Sequence, residues 1–414
     1  MSNFLAIDQG TTSSRAIVFN SQHNVITDSQ QEYSLSYPND GWVEADPVDI
    51  LNTVRDTVSD VLKKENAITA CGITNQREST VVWSRETGEP IYPAIIWQDR
   101  RTHEFCKELR DSGHEKMVRE KTGLVIDPYF SATKVKWILD NVTGARDLAN
   151  NGKLMFGTID SYLIYKLTKE KEHYTDVTNA SRTMLFNINE MKWDTDLLDL
   201  FDIPISMMPS VQSCDSNFGT LVVDNINISI KGVIGDQQAA LVGQNCFTYG
   251  DMKSTYGTGC FCIMNTGDKP VISKNKMLTT IAWQRNGEVT YALEGSVFIA
   301  GALVQWLRDQ LQIISSAEAI ESLAQTVDDN GGGGRAGGGS RVDNGDGIGG
   351  GGEMGEQKGY VSFSDSESDD TDANTDPMLG ELSGSDTGLS DRELHKGAAM
   401  ALEAGRVYSD DSAS

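Results

Sequence analysis

The chain has 414 residues, and its 35 Lys and Arg against 60 Asp and Glu give a formal net charge of −25. This acidity argues against a nucleic acid or an anionic membrane surface as a partner, since both attract clustered Lys and Arg. The length is sufficient for two or three domains. No apolar stretch approaches the roughly 20 residues that a membrane-spanning helix needs, and we expect no secretory signal.

The predicted elements begin with two strands, residues 4–7 and 15–19, joined by a polar loop. A helix follows from Asp46, because Asp is a good N-cap residue and Pro47 suits the first helical position. Apolar residues then recur at helical spacing up to Leu62.

Further strands are predicted at residues 71–74, 231–234 and 289–293, and an amphipathic helix at residues 297–313. This mixture of strands and helices indicates an α/β protein. In open α/β sheets, ligand-binding residues gather where strands end, which directs attention to the polar residues after the strands.

Six cysteines are scattered along the chain, and their spacing fits neither a disulfide framework nor a zinc site. We therefore expect reduced thiols and a cytoplasmic location. The five histidines have no metal-binding spacing either.

The composition changes at about residue 331. Residues 331–414 contain 20 of the 40 glycines, none of the seven tryptophans, and 17 acidic against 6 basic residues. Low hydrophobicity with high charge predicts a disordered, low-complexity tail.

Two loops are suited to phosphate. Residues 8–15 read Asp-Gln-Gly-Thr-Thr-Ser-Ser-Arg, and residues 254–259 read Ser-Thr-Tyr-Gly-Thr-Gly. Glycine allows a close backbone approach, and N–H and hydroxyl groups can bind phosphate oxygens. Asp8, at a strand end, could hold magnesium through water. The alternative for the first loop is an ordinary polar hairpin turn.

Two acidic positions suggest chemistry. Asp236 follows a predicted strand and could accept a proton from an attacking hydroxyl, although a helix N-cap is the simpler interpretation of this residue alone. Arg77 and Glu78 could hydrogen-bond a polyol, but a surface ion pair is the alternative. Trp97, Tyr129 and Phe261 could line a carbon chain, although aromatic residues usually belong to a core.

Seven segments occur in order and together resemble the glycerol kinases of the FGGY carbohydrate kinase family: residues 8–15, 74–78, 95–101, 127–131, 178–184, 235–238 and 255–261. The likeness runs from about residue 3 to 330. It implies a two-domain actin-like ATPase (ribonuclease H-like) fold and ATP-dependent phosphorylation of glycerol to sn-glycerol 3-phosphate.

The resemblance also implies roles for individual residues. Asp236 matches the catalytic base, and Asp8 and Asp236 match the acids near magnesium. The positions that match glycerol-binding residues are Arg77, Glu78, Trp97, Tyr129, Asp236, Gln237 and Phe261. The positions that match nucleotide contacts are Thr11, Thr12, Ser13, Arg15, Thr258, Gly301 and Gln305.

The sequence departs from the family after residue 330, where the expected apolar continuation is absent. We therefore predict a domain for glycerol and phosphate binding at 1–245, an incomplete nucleotide-binding domain at 246–330, and the tail at 331–414. Two alternatives stay open, a glycerol- or partner-binding protein without catalysis and another sugar kinase of the family. A homo-oligomer is also left open.

Overall fold

The computed structural model describes residues 2–256, 260–275, 277–297, 301–309, 311–317, 319–324 and 326. They fall into two compact units, one with the described residues up to Val297 and one with those from Gly301 onward. The tail predicted to be disordered, residues 331–414, lies outside the described residues.

The first unit contains the six sheets that the structure describes and most of its helices. Its strands are β1 (Asn3–Gln9), β2 (Ser13–Phe19), β3 (Val25–Glu32), β4 (Leu35–Ser36), β5 (Glu44–Ala45), β6 (Ile68–Asn75), β7 (Val81–Ser84), β8 (Ala94–Ile95), β9 (Leu154–Gly157), β10 (Tyr174–Asp176), β11 (Phe186–Asn187), β12 (Lys192–Trp193), β13 (Ser210–Gln212), β14 (Thr220–Val223), β15 (Ile226–Gly235), β16 (Met252–Tyr256), β17 (Cys260–Gly267), β18 (Leu278–Arg285) and β19 (Glu288–Val297). Its helices are α1 (Pro47–Lys64), α2 (His103–Asp111), α3 (Glu115–Thr122), α4 (Ser131–Asn141), α5 (Ala145–Asn150), α6 (Ile159–Leu167), α7 (Val177–Ala180), α8 (Thr195–Leu200) and α9 (Asp236–Gly243).

A mixed six-stranded sheet has the order β14, β15, β6, β1, β2, β3. β1 pairs antiparallel with β2, which confirms the predicted hairpin, and parallel with β6. β6 in turn pairs parallel with β15. The predicted strands at 4–7, 15–19, 71–74 and 231–234 therefore lie in this one sheet.

Helix α1 starts where the sequence predicted. The side chain of Asp46 accepts a hydrogen bond from the N–H of Val48, and Pro47 is the first helical residue. The apolar face of α1, including Val54 and Val58, is fully buried in one core with Ile7 of the sheet. This burial of one apolar stripe against the sheet is what stabilises the helix.

A second, antiparallel sheet has the order β16, β17, β19, β18. In its register Glu294 of β19 lies between Ile263 of β17 and Leu278 of β18. A charged residue thus occupies a central strand of a largely apolar sheet, a position that matters for the site described below.

The second unit contains α10 (Gly301–Asp309) and α11 (Ala319–Ala324). The helix predicted at 297–313 is therefore shorter than expected at both ends. Val297 still belongs to β19. At the other end, the N–H of Leu311 donates to the carbonyl of Trp306, five residues earlier, and a hydrogen bond of this kind terminates a helix. Amphipathic spacing gave no signal for either boundary.

Two further expectations concern the chain as a whole. All six cysteines are free thiols, as the spacing predicted. Within the part of the chain that the structure describes, no helix is both long enough and apolar enough to cross a membrane.

Candidate active site

Three neighbouring strands of the mixed sheet end at one edge. Gln9 of β1 lies opposite Asn75 of β6, and Asn75 lies opposite Gly235 of β15. Because these strands are parallel, the residues that follow them meet at this edge. Those residues include Arg77, Glu78 and Asp236.

A cluster of five charged side chains occupies the edge: Arg77, Glu78, Arg182, Asp236 and Glu294. Arg77 Nε lies 3.2 Å from Asp236 Oδ1, and Arg77 Nη1 and Nη2 donate to Glu294 at 2.6 and 2.9 Å. Arg182 Nε donates to Glu78 Oε1 at 2.6 Å, and its Nη2 donates to Glu294 Oε1 at 2.9 Å. The side chain of Asp236 is 29% exposed, whereas the other four are at most 2% exposed. Asp236 is thus the most exposed member of the cluster.

The electrostatic environment shifts the pKa values of the three carboxyl groups of the cluster in different directions. At Glu294 burial is outweighed by Arg182 and Arg77, and the pKa falls to about 2. At Glu78 burial outweighs the same two arginines and raises the pKa. Burial also raises the pKa of Asp236, against the attraction of Arg77. A carboxylate with a raised pKa and access to substrate is suited to accept a proton.

Two backbone features keep Arg77 and Glu78 in place. Glu78 has φ of 59°, in the left-handed region that non-glycine residues rarely adopt. Such strain often marks functional positions. At Gly235, an added Cβ would lie 2.9 Å from both Cγ and Cδ of Arg77, so the side chain of Arg77 packs directly on the backbone there.

Aromatic rings form a wall beside the charged cluster. The ring of Trp97 packs edge-to-face with Tyr129 at 5.7 Å and with Phe261 at 6.1 Å between centroids. The Tyr129 hydroxyl lies 3.5 Å from Arg77 Nη2. The structure therefore brings all three predicted aromatic residues to the charged edge, where apolar faces and polar groups meet.

The loop between β1 and β2 turns its carbonyl groups inward. The Tyr33 hydroxyl lies 2.7 Å from the Gly10 carbonyl and 2.6 Å from that of Thr11, and the Tyr33 N–H donates to the Thr12 carbonyl at 3.0 Å. Because C=O and the following N–H point in opposite directions in a trans peptide, the N–H groups of Thr11 and Thr12 point away from Tyr33, whereas the N–H of Gly10 donates to the Ser13 carbonyl at 2.8 Å. Outward N–H groups are the arrangement that binds an anion.

The other candidate nucleotide residues of this loop lie on β2. Ser13 Oγ accepts a hydrogen bond from Gln30 Nε2 at 3.1 Å, and Arg15 pairs with Asp28 at 2.8 Å. The side chain of Trp97 connects the aromatic wall to the loop, since its Nε1 donates to Thr11 Oγ1 at 2.9 Å.

Lys253 of β16 lies close to Asp236 and was not predicted from the sequence. It is 1% exposed, and its Nζ donates to Gln237 Oε1 and, at 2.5 Å, to Thr255 Oγ1. Burial lowers its pKa to about 8 despite the attraction of Asp236. Because an ammonium only donates, Lys253 orients the Gln237 amide with its oxygen toward Nζ and its nitrogen away from it.

The remaining nucleotide candidates fall largely outside the described residues. Thr258 of the second loop lies outside them. Gly301 and Gln305 lie on α10, and the side chain of Gln305 is outside the described part of the structure.

Asp8 and Asp236 are the candidate magnesium residues. Within the described residues, no group of three or more His, Cys, Asp or Glu side chains could hold a metal ion. Magnesium keeps several waters and is usually bound by one or two carboxylates together with substrate phosphates, so the two acids stay a prediction.

Three residues of the site were missing from the sequence-based roles: Arg182, Lys253 and Glu294. Arg182 and Lys253 gave no individual signal. Glu294 gave a signal, because it directly follows the apolar strand predicted at 289–293, and a carboxylate there needs a buried partner.

Comparison with family models gives two matches. Residues 3–243 match the N-terminal domain of the FGGY family of carbohydrate kinases, and residues 252–332 match its C-terminal domain. Together the matches cover more than half of the chain.

Curated relatives are named glycerol kinase. The one from Burkholderia multivorans is 56% identical over 329 residues, covering 78% of this chain and 66% of the relative. The one from Alteromonas mediterranea is 55% identical over 337 residues, covering 80% and 68%. The chain therefore spans about two thirds of the length of the curated relatives it matches.

Solved structures agree on the fold. The glycerol kinase of Plasmodium falciparum, solved with ADP, matches with a TM-score of 0.75 and 35% identity, over 79% of this chain and 67% of that one. A xylulose kinase from Lactobacillus acidophilus, at 20% identity and a TM-score of 0.70 over 79% and 66%, shares the fold. Family models, relatives and fold lead to one conclusion: this chain belongs to the FGGY family of carbohydrate kinases.

Proposed function

We propose that this chain transfers the γ-phosphoryl group of ATP to a terminal hydroxyl of glycerol, giving sn-glycerol 3-phosphate and ADP. The observation that carries the proposal is the charged cluster beside the aromatic wall, in which Asp236 alone is partly exposed. Relatives at 55–56% identity that are named glycerol kinase support the same substrate.

Glycerol combines three hydroxyls with a short carbon chain, and the site has polar groups suited to the hydroxyls and aromatic rings suited to the carbon chain. Arg77, Glu78 and Tyr129 would position two hydroxyls, with Gln237 presenting its amide nitrogen. Trp97 and Phe261 would cover the carbon chain. Holding the hydroxyl in line with the phosphoryl group supplies much of the catalysis in this reaction class.

Asp236 would act as the base. As the glycerol oxygen bonds to the γ-phosphorus, its proton passes to the Asp236 carboxylate, and the bond to the β–γ bridging oxygen breaks to release ADP. The outward N–H groups at Thr11 and Thr12, with Ser13 and Arg15, would bind phosphate oxygens. Thr258, Gly301 and Gln305 complete the proposed nucleotide contacts. Magnesium, held by Asp8 and Asp236 through water and by the phosphates, would neutralise phosphate charge.

We assign residues 1–245 to glycerol and phosphate binding, 246–330 to the start of the nucleotide domain, and 331–414 to a separate tail. The free thiols and the use of ATP favour a cytoplasmic location. A homo-oligomer remains a prediction that light scattering would test.

ATP use and glycerol binding are separate parts of the proposal, because the chain spans about two thirds of its relatives' length. The alternative is a protein that binds glycerol without phosphorylating it. Another sugar kinase is a weaker alternative, since the xylulose kinase structures share the fold at only about 20% identity.

The deciding experiment measures glycerol-dependent ADP production with magnesium and ATP, alongside glycerol binding by calorimetry. The matched variant is Asp236→Asn, which keeps the shape but cannot accept the proton. We expect activity in the native chain and a loss of about 10²–10⁴-fold in the variant. Binding without turnover would favour the alternative, and turnover with pentuloses but not glycerol would favour a different sugar kinase.

A further inference from the structure

Lys134 of helix α4 is fully buried, and its ammonium binds the main chain. Its Nζ donates to three successive backbone carbonyls, those of Pro128 at 2.8 Å, Tyr129 at 2.5 Å and Phe130 at 3.4 Å. An ammonium has three N–H donors and no acceptor, so these three contacts use its full capacity. The hydrogen bonds of this buried cation are therefore directed entirely at one short stretch of chain.

The place of Lys134 in the helix is unfavourable for a cation. It is the fourth residue of α4, and the partial positive charge at the N-terminal end of a helix opposes a positive side chain. Burial adds a second cost and lowers the pKa of Lys134 to about 8. The carbonyls that it binds offset both effects, because a buried charge is tolerated only when it is hydrogen-bonded.

The segment that Lys134 binds, residues 128–131, is called here the Tyr129 turn. Its other contacts lead to the candidate site. The Tyr129 hydroxyl lies 3.5 Å from Arg77 Nη2, and Ser131 Oγ donates to the carbonyl of Glu78 at 3.0 Å. The turn thus carries one proposed glycerol-binding side chain and contacts the backbone of another.

The geometry of the three hydrogen bonds explains how they can orient a side chain that Lys134 does not bind. The peptide planes on either side of the Tyr129 Cα contain the carbonyls of Pro128 and Tyr129, and Nζ holds both. Because each peptide is planar, fixing the two planes fixes φ and ψ of Tyr129. The direction of its Cα–Cβ bond, and with it the base of the aromatic ring, is then fixed as well.

We propose that Lys134 is a positioning residue for glycerol binding, which holds the Tyr129 turn and thereby places the Tyr129 ring and hydroxyl beside Arg77. This inference rests on the proposed function, in which Tyr129 and Glu78 bind glycerol. Lys134 contacts neither glycerol nor phosphate in this account. It acts through the main chain of the turn.

The test compares the native chain with Lys134→Met, which keeps an unbranched apolar stem and removes the ammonium. The matched control is Lys166→Met, because Lys166 Nζ also donates to a backbone carbonyl, that of Gly88 at 3.0 Å, outside the candidate site. The stability of each variant is measured first, so that all comparisons are made on folded protein.

The position of Tyr129 is followed by ¹⁹F NMR in protein labelled with 3-fluorotyrosine. Its signal is assigned by its absence in Tyr129→Phe, and the measurement requires neither ligand nor activity. We expect the Tyr129 signal to shift or broaden in Lys134→Met and to stay in place in Lys166→Met.

Glycerol binding is measured by calorimetry on the same proteins. A misplaced binding group of this kind should weaken glycerol affinity by roughly 10–100-fold in Lys134→Met, and Lys166→Met should bind as the native chain does. In the assay, the KM for glycerol should rise while the KM for ATP stays unchanged. In the Tyr129→Phe background, Lys134→Met should weaken glycerol binding by a smaller factor, because the hydroxyl that it positions is already gone.

An unmoved Tyr129 signal in folded Lys134→Met would overturn the proposal, and so would an equal loss of affinity with and without the Tyr129 hydroxyl. If Lys134→Met does not fold, Lys134→Gln keeps an N–H donor that is one atom too short to reach all three carbonyls. A displaced Tyr129 signal there supports the proposal, and an unmoved one contradicts it. A native chain that does not bind glycerol would refute the proposed function, while the ¹⁹F signal would still decide whether Lys134 fixes the Tyr129 turn.

Discussion

The guanidinium of Arg77 and the carboxylate of Glu294 form a two-hydrogen-bond ion pair, although 217 positions separate them in the sequence. Arg77 follows β6 of the mixed sheet, and Glu294 lies on β19 of the antiparallel sheet. Arg77 is in the part of the chain that matches the N-terminal family domain, and Glu294 is in the part that matches the C-terminal domain. The candidate site is therefore held together by charges from both.

The first prediction concerns the stability of this pair. In Arg77→Met, Glu294 and Glu78 each lose a buried partner, and removing one member of a buried ion pair costs about 3–5 kcal/mol. We expect that loss in the free energy of unfolding, measured in urea. The control is Lys63→Met, which breaks the exposed pair with Asp60. If both variants unfold at the same urea concentration, the cluster does not stabilise the fold.

The second prediction concerns the contact of Trp97 with the first loop. Trp97→Phe keeps an aromatic wall but removes the hydrogen bond to Thr11, and Thr11→Val removes it from the other side. A hydrogen bond contributes about 0.5–1.5 kcal/mol, so each change should raise the KM for ATP by roughly 2–12-fold. The double variant should be no worse than either single one. Additive effects would show that the two side chains act independently.

The third prediction concerns the close approach at Gly235. In Gly235→Ala the new methyl would press on Cγ and Cδ of Arg77 and displace its guanidinium. Overpacking of this kind costs about 1–3 kcal/mol, and we expect glycerol affinity to fall at least tenfold by calorimetry. Gly295→Ala is the control, because an added Cβ there meets only the Met277 methyl, at 3.7 Å. Equal affinity in the two variants would contradict this account.

Much of the first unit could be predicted from local sequence. The β1–β2 hairpin and the start of α1 follow from apolar spacing and from the Asp46–Pro47 cap, and the structure confirms both. These features depend on interactions between near neighbours, which short sequence patterns record.

The features that could not be predicted depend on distant residues. From the sequence alone, a helix N-cap was the simplest interpretation of Asp236. In the structure Gly235 is the N-cap, Asp236 is the first helical residue, and the side chain of Asp236 lies next to that of Arg77. The pairing of Glu294 with Arg77 arises only when two sheets meet. The left-handed conformation of Glu78 is likewise imposed by its surroundings, because glutamate has no preference for it.

The last prediction concerns pH and a second buried carboxyl. Asp160 is fully buried at the start of α6 and accepts hydrogen bonds from Thr158 at 2.5 Å and Thr175 at 2.7 Å. Burial, with the nearby charge of Asp176, raises its pKa to about 7, well above the unfolded value of 3.8.

Between about pH 4 and pH 7 the folded chain therefore binds more protons at Asp160 than the unfolded chain, so its stability falls as the pH rises. The slope is at most about 1.4 kcal/mol per pH unit for one proton. Asp160→Asn resembles the protonated acid and should remove this dependence, giving a flatter profile of unfolding free energy from pH 5 to pH 8. The exposed control Asp111→Asn should run parallel to the native chain. If Asp160→Asn also runs parallel, Asp160 is ionised throughout this range and its burial does not control the pH dependence of stability.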